Sequence, residues 1–91
     1  SAQAYVFFPG GFGTLDEMFE MITLVQTGKT VSLPIVLVGK KFWQPLLTWI
    51  DQALVPEGLI EADDRKLYRL VDTAEETFDI IQAESKERSF F

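Results

Sequence analysis

The sequence predicts an α/β domain in which a parallel sheet is flanked by helices. Three apolar runs rich in β-forming residues, at 4–8, 33–38 and 68–71, each precede a stretch whose apolar residues recur every three or four positions. That β-α-β-α-β-α order is the pattern of a parallel sheet with crossover helices on its faces. The first run also ends in Pro9-Gly10-Gly11-Phe12-Gly13-Thr14, three glycines within four residues directly before a helix.

Residues 4–8 are continuously apolar and predict a strand buried on both faces. Leu15, Met18, Phe19, Ile22 and Val25 place a helix over 14–26, stopped near Gly28, and Met21 and Leu24 widen its apolar surface. The second strand covers 33–38, with Pro34 tolerated at its start, and Gly39-Lys40-Lys41 forms the following turn. Pro45 fits the first turn of the second helix. Its buried face is Leu46, Leu47, Trp49, Ile50, Ala53 and Leu54, and Pro56-Glu57-Gly58 ends it. A short helical turn is expected at 63–66 and a third strand at 68–71. Thr73 and Glu76 stand at capping-box spacing at the head of a last helix over 73–83, and 85–91 reads as a loose tail. Trp43, Trp49 and the phenylalanines are assigned to the core, apart from Phe12 at the tip of the glycine loop. The first strand would leave an open, apolar edge, and such an edge predicts self-association.

The chain has 91 residues, enough for one small domain, and 47% of them are apolar, so it folds around a core. It contains no cysteine and no histidine. Disulfides, thiolate nucleophiles, Cys/His metal sites and Ser-His catalysis are thereby excluded. Chemistry is left to carboxylates, hydroxyls, lysine, arginine and backbone, with no metal and no cofactor expected. The net charge is −6, and the acidic excess lies mostly after Pro56. An acidic chain is a poor binder of nucleic acid polymers, and the charge reads as a solvated helical surface. No apolar run approaches the length of a membrane span and no signal peptide is visible, so a soluble cytoplasmic protein with no membrane partner is expected. Ser1 stands almost directly before a buried strand, which reads as a start inside a domain.

The glycine loop is neither a Walker A loop nor a dinucleotide fingerprint, because its spacing is Gly-Gly-x-Gly-Thr. It offers the N–H groups of Gly11, Gly13 and Thr14 and the Thr14 hydroxyl, at the C-terminal end of a parallel strand, where open α/β sheets bind ligands. A phosphate would fit there; the alternative is a tight strand-to-helix turn with no ligand. Glu17, on the first turn of the helix, has two readings. It is either a carboxylate within reach of whatever the phosphate carries, or the partner of Thr14 in a capping box. Asp16 reads as an exposed acid favoured by the helix dipole. Lys40 and Lys41, also at a strand end, are either surface residues or anion contacts.

Pro9-Gly10-Gly11-Phe12-Gly13-Thr14-Leu15-Asp16-Glu17 resembles the PGGxGTxxE signature of the Lonely Guy family, cytokinin riboside 5′-monophosphate phosphoribohydrolases often labelled possible lysine decarboxylases. The resemblance continues through Leu24-Val25-Gln26-Thr27-Gly28-Lys29, Pro34-Ile35-Val36-Leu37-Val38-Gly39 and Phe42-Trp43-Gln44-Pro45-Leu46. It implies that residues 1–91 are the C-terminal half of one Rossmann-like nucleotide-binding domain. It further implies hydrolysis of the N-glycosidic bond of a nucleoside 5′-monophosphate to free base and ribose 5-phosphate. Gly10, Gly11, Gly13 and Thr14 would hold the phosphate, Glu17 would be the catalytic carboxylate, and the assembly would be a homodimer. The family pairs this glutamate with an arginine from an Arg-Lys motif before the PGG strand. No arginine precedes it here, and Arg65, Arg69 and Arg88 do not match that motif. The chain by itself is therefore expected to be inactive. The alternative reading is a truncated, non-catalytic fragment that binds nucleotide phosphate or only associates with another chain. Decarboxylation gains no support, since no lysine stands in a Schiff-base context.

Overall fold

A computed structural model describes residues 3–88. Strands β1 (Tyr5–Phe7), β2 (Ile35–Val38) and β3 (Tyr68–Val71) form one sheet in the order β1-β2-β3, with both pairings parallel. Helices α1 (Phe12–Gln26), α2 (Lys40–Trp49) and α3 (Ala74–Arg88) follow the strands in turn. The fold is thus a partial α/β unit with a Rossmann-like parallel sheet, as the periodicities require.

The register explains the core. Tyr5, Ile35 and Tyr68 align across the sheet, as do Phe7, Leu37 and Leu70. Alternate residues of a strand face the same side. These six pack with Met18 of α1 and with Trp43, Leu47 and Ile50 of α2 and its continuation. Met18, Ile35, Leu37 and Trp43 are fully buried. Val36 and Val71 are buried as well, and so is one polar residue among those described, Thr77 of α3, which packs on β2. Its hydroxyl donates to the Thr73 carbonyl at 3.3 Å, so burial leaves it satisfied.

β1 departs from the expected double burial. Val6 is 37% exposed and Phe8 62% exposed, because β1 is an edge strand that nothing among the described residues pairs with on its outer side. The aromatic residues also depart from their assignment. Trp43 is in the core, whereas Trp49 is 53% exposed and Phe19, Phe42 and Phe78 are exposed too. A helical period offset by one residue separates these faces: Trp43, Leu47 and Ile50 share one side of α2, and Trp49 falls on the other.

The helix ends follow local chemistry. α1 stops in a Schellman arrangement: Gly28 N–H bonds the Val25 carbonyl and Lys29 N–H the Leu24 carbonyl, with Gly28 at φ +71°, where a side chain would be strained. α2 begins earlier than expected. Lys40 and Lys41 are helical rather than a turn, and Pro45 lies inside the helix, where it removes the bond to the Lys41 carbonyl. The final turn widens into a π-helical segment, Ile50–Leu54. A 3-10 segment, Ala62–Leu67, opens with a capping box between Glu61 and Asp64. Asp64 also accepts from Gln26 at 2.9 Å, tying this segment to α1. Tyr68, at the start of β3, has a buried hydroxyl without a partner among the described residues, and burial pushes its phenol pKa up. α3 runs five residues past the expected end at 83; of the tail expected over 85–91, residues 89–91 lie outside the described residues.

Candidate functional site

Parallel strands bring all three strand exits to one edge of the sheet. There the chain leaves β1 through Phe8-Pro9-Gly10-Gly11, β2 through Gly39 and β3 through Asp72, and each exit leads into a helix N-terminus. Pro9 seats this edge. A Cβ placed on Gly39, which has φ +107°, would lie 3.2 Å from Pro9 Cγ, so the β1 exit packs directly on the β2–α2 junction.

A helix N-terminus leaves backbone N–H groups without helical acceptors. Two of the three at this edge are closed by side chains. Asp72 Oδ1 accepts the Lys40 N–H of α2 at 2.8 Å. At α3, Thr73 Oγ1 accepts the Glu76 N–H at 3.1 Å, while Glu76 Oε1 accepts from Asp72 N–H and from the Thr73 hydroxyl. α1 is different. Its N-cap is Gly11, which has no side chain, and no side-chain cap is present. Leu15 N–H reaches the Gly11 carbonyl at 3.1 Å, but the N–H groups of Phe12, Gly13 and Thr14 meet no acceptor among the described residues.

This start at Phe12 corrects the expected helix boundary and bears on Glu17. With Gly11 as the cap, Thr14 is the third helical residue and Glu17 lies on the second turn. The capping-box reading of Thr14 and Glu17 is not realised, because Thr14 is already inside the helix. Glu17 is exposed and makes no hydrogen bond or ion pair among the described residues. It sits three residues past Thr14, about 4.5 Å further along the axis and on the neighbouring face.

The glycines of the loop do not adopt positive φ; their value here is room. A Cβ on Gly11 or on Gly13 would meet nothing within 4 Å, so both face open space beside the free N–H groups. Gly10 is crowded by Thr14 instead. Residues 10–13 are exposed, and Phe12 is 91% exposed, in keeping with its expected place outside the core. Two larger open clefts, of 510 and 370 Å³, are lined by other residues: one by Phe78 and its neighbours on α3, the other by Gln44, Asp51, Arg65 and Tyr68 near the opposite end of β3. The loop is an open cradle in this chain, not an enclosed pocket.

Charges at the edge are mixed. Lys40 and Lys41 are exposed on the first turn of α2 and take part in no ion pair among the described residues. Arg65 pairs with Asp51 at 3.5 Å and Arg69 with Glu84 at 3.2 Å, so neither faces Glu17. No cluster of acidic residues able to hold a metal ion is present among the described residues. No helix among them is long and apolar enough to cross a membrane. Sequence reasoning missed Asp72, whose capping of a helix 32 residues away leaves no spacing signal in the chain.

Residues 1–81 match the family model described as possible lysine decarboxylase. A cytokinin riboside 5′-monophosphate phosphoribohydrolase of Oryza sativa subsp. japonica is 42% identical over 78 residues, which are 82% of this chain and 31% of that protein. A second rice protein, described as a probable enzyme of the same name, is 39% identical over 84 residues, covering 89% of this chain and 38% of that protein. An Arabidopsis thaliana protein of that name is 40% identical over 78 residues, covering 82% of this chain and 34% of that protein. The chain thus spans about a third of the length of the curated relatives it matches. A family match over most of the chain, carried by relatives of this one description, leads to one conclusion: the chain belongs to the possible lysine decarboxylase family, the family of the Lonely Guy phosphoribohydrolases.

Proposed function

We propose that this chain supplies the phosphate-binding loop and the reacting carboxylate of a nucleoside 5′-monophosphate phosphoribohydrolase. The observation that carries this reading is the uncapped N-terminus of α1, with free N–H groups at Gly13 and Thr14 and an unpaired carboxylate, Glu17, one turn beyond. Gly11, Gly13 and Thr14 form the cradle for the 5′-phosphate, with Gly10 packed behind Thr14, and the positive end of the helix dipole favours the anion. With the phosphate fixed there, Glu17 lies on the ribose side. Cleavage of the N-glycosidic bond develops positive charge on the sugar, in an oxocarbenium-like transition state. An ionised carboxylate beside it stabilises that charge or orients the attacking water. The products are free base and ribose 5-phosphate, and the chemistry requires no cofactor from this chain.

Arg65 and Arg69 are committed to Asp51 and Glu84, so no guanidinium among the described side chains joins Glu17. We therefore propose that the chain alone binds nucleotide without turning it over. The test is a melting curve of the purified chain with adenosine 5′-monophosphate, ribose 5-phosphate or adenosine. The first two should raise Tm, by an amount corresponding to about 2.7 kcal/mol at a hundred times Kd. Adenosine should leave Tm unchanged, and no adenine should be released. Equal shifts with adenosine, or none with any of the three at millimolar concentration, would remove the phosphate cradle from the account.

Self-association is the second part of the proposal. β1 carries an unpaired hydrogen-bonding edge, with Val6 and Phe8 exposed beside it. Half-buried Leu24 adds apolar surface on α1, whereas Met21 packs on the chain's own core. Light scattering at micromolar concentration should return at least twice the 10.3 kDa chain mass. A single species at the chain mass would contradict it.

A further inference from the structure

The three glycines of the loop do different jobs. Gly11 and Gly13 border open space, but a Cβ on Gly10 would overlap Thr14 Oγ1 and stand 2.9 Å from Thr14 Cβ and 3.4 Å from Thr14 Cγ2. The three nearest atoms in its way all belong to that one side chain. The Thr14 hydroxyl thus occupies the space that any residue other than glycine would fill at position 10.

The hydroxyl itself is unspent. Threonines inside helices commonly donate to the carbonyl four residues back. Thr23 does so to Phe19 at 2.8 Å, Thr77 to Thr73 at 3.3 Å, and Thr27, the C-cap of α1, to Thr23 at 2.7 Å. Thr14 lies against the residue four positions back, Gly10, yet makes no hydrogen bond to it or to any other described residue. It is half-buried, so the side chain is held while its proton stays available.

We infer that Gly10 is a positioning residue: it touches no phosphate, and its missing side chain lets the Thr14 hydroxyl stand beside the free N–H groups of α1 as a further donor to the anion. This rests on the reading of the loop as the 5′-phosphate cradle. It separates Gly10 from Gly11 and Gly13, whose open flanks leave room for the anion. A hydroxyl bond to a phosphate is charge-assisted, so its loss lowers affinity about tenfold or more.

The test measures adenosine 5′-monophosphate binding by calorimetry on the full chain and four variants. Thr14→Ala and Gly10→Ala should each lose about tenfold or more in affinity, and Thr14→Ser, which keeps the hydroxyl, should bind within about twofold of the parent. The deciding comparison uses Thr14→Gly, which removes the three atoms nearest the Gly10 Cβ position. In that background Gly10→Ala should change neither affinity nor Tm. This holds even if Gly10→Ala alone fails to fold, since the second change should then restore folding. Gly10→Ala binding like the parent would overturn the inference. So would a further loss of affinity on adding Gly10→Ala to Thr14→Gly, which would make Gly10 a direct contact. If the parent chain binds no nucleotide, the cradle itself is wrong and the inference falls with it.

Discussion

Replacing Glu17 by glutamine should lower turnover roughly a hundredfold or more while leaving Tm within a degree or two. The setting for this is a chimera in which residues 1–81 replace the matching segment of the rice phosphoribohydrolase, so that the remainder of the domain is present. The physical reason is local. The substitution keeps the shape of the side chain and removes the negative charge that faces the developing positive charge on the sugar, and a single preorganised electrostatic group is worth about that factor. Stability should not follow, because Glu17 is exposed and unpaired and takes no part at the N-terminus of helix α1. Nucleotide affinity should also stay close to the parent value, since the phosphate is held by the loop. If Glu17 acted only at the helix end, activity would persist and Tm would fall by the equivalent of about 1 kcal/mol. Comparison of rate and melting temperature in the same preparation separates the two.

Trp43→Ala should remove a large share of the stability of the chain. Trp43 is fully buried, its ring meets Phe42 edge-to-face at 4.9 Å, and its indole N–H donates to the Val38 carbonyl at 3.1 Å. It joins α2 to the end of β2, the central strand. Truncating a buried tryptophan costs about 3–5 kcal/mol. A domain of this size is stable by only ~5–14 kcal/mol. The expected fall in Tm is about 12 °C or more. Trp43→Phe, which keeps a ring but leaves the Val38 carbonyl without its donor, should cost less. A melting temperature within a few degrees of the parent for Trp43→Ala would place the core elsewhere.

The elements were legible because their signals are local. Alternation of apolar runs with three-and-four spacing gave three parallel strands and three helices, and β3 falls at 68–71 as its apolar run predicts. Thr73 and Glu76 cap α3 as their spacing requires. What was not legible depends on contacts between distant residues. The head of α2 begins at Lys40 because Asp72, from the exit of β3, accepts its N–H. The head of α1 begins at Phe12 because glycine at position 11 caps without a side chain, and this moves Glu17 from a capping position to a free one. Trp49 carries the same apolar signal as Trp43, and only the phase of the helix against the sheet decides that one is buried and the other exposed. The loop glycines looked alike in sequence. Only the packing of Thr14 distinguishes Gly10 from the others.

The proposed activity is one chemical event, scission of the bond between base and ribose with the phosphate still attached. Product analysis of the chimera supplied with adenosine 5′-monophosphate tests it most directly. The expected result is adenine and ribose 5-phosphate in equal amounts, with no free phosphate and no adenosine, and with adenosine itself left uncut when offered as substrate. Release of adenosine and inorganic phosphate, or cleavage of adenosine as readily as of its monophosphate, would contradict the role given to the glycine loop and Glu17.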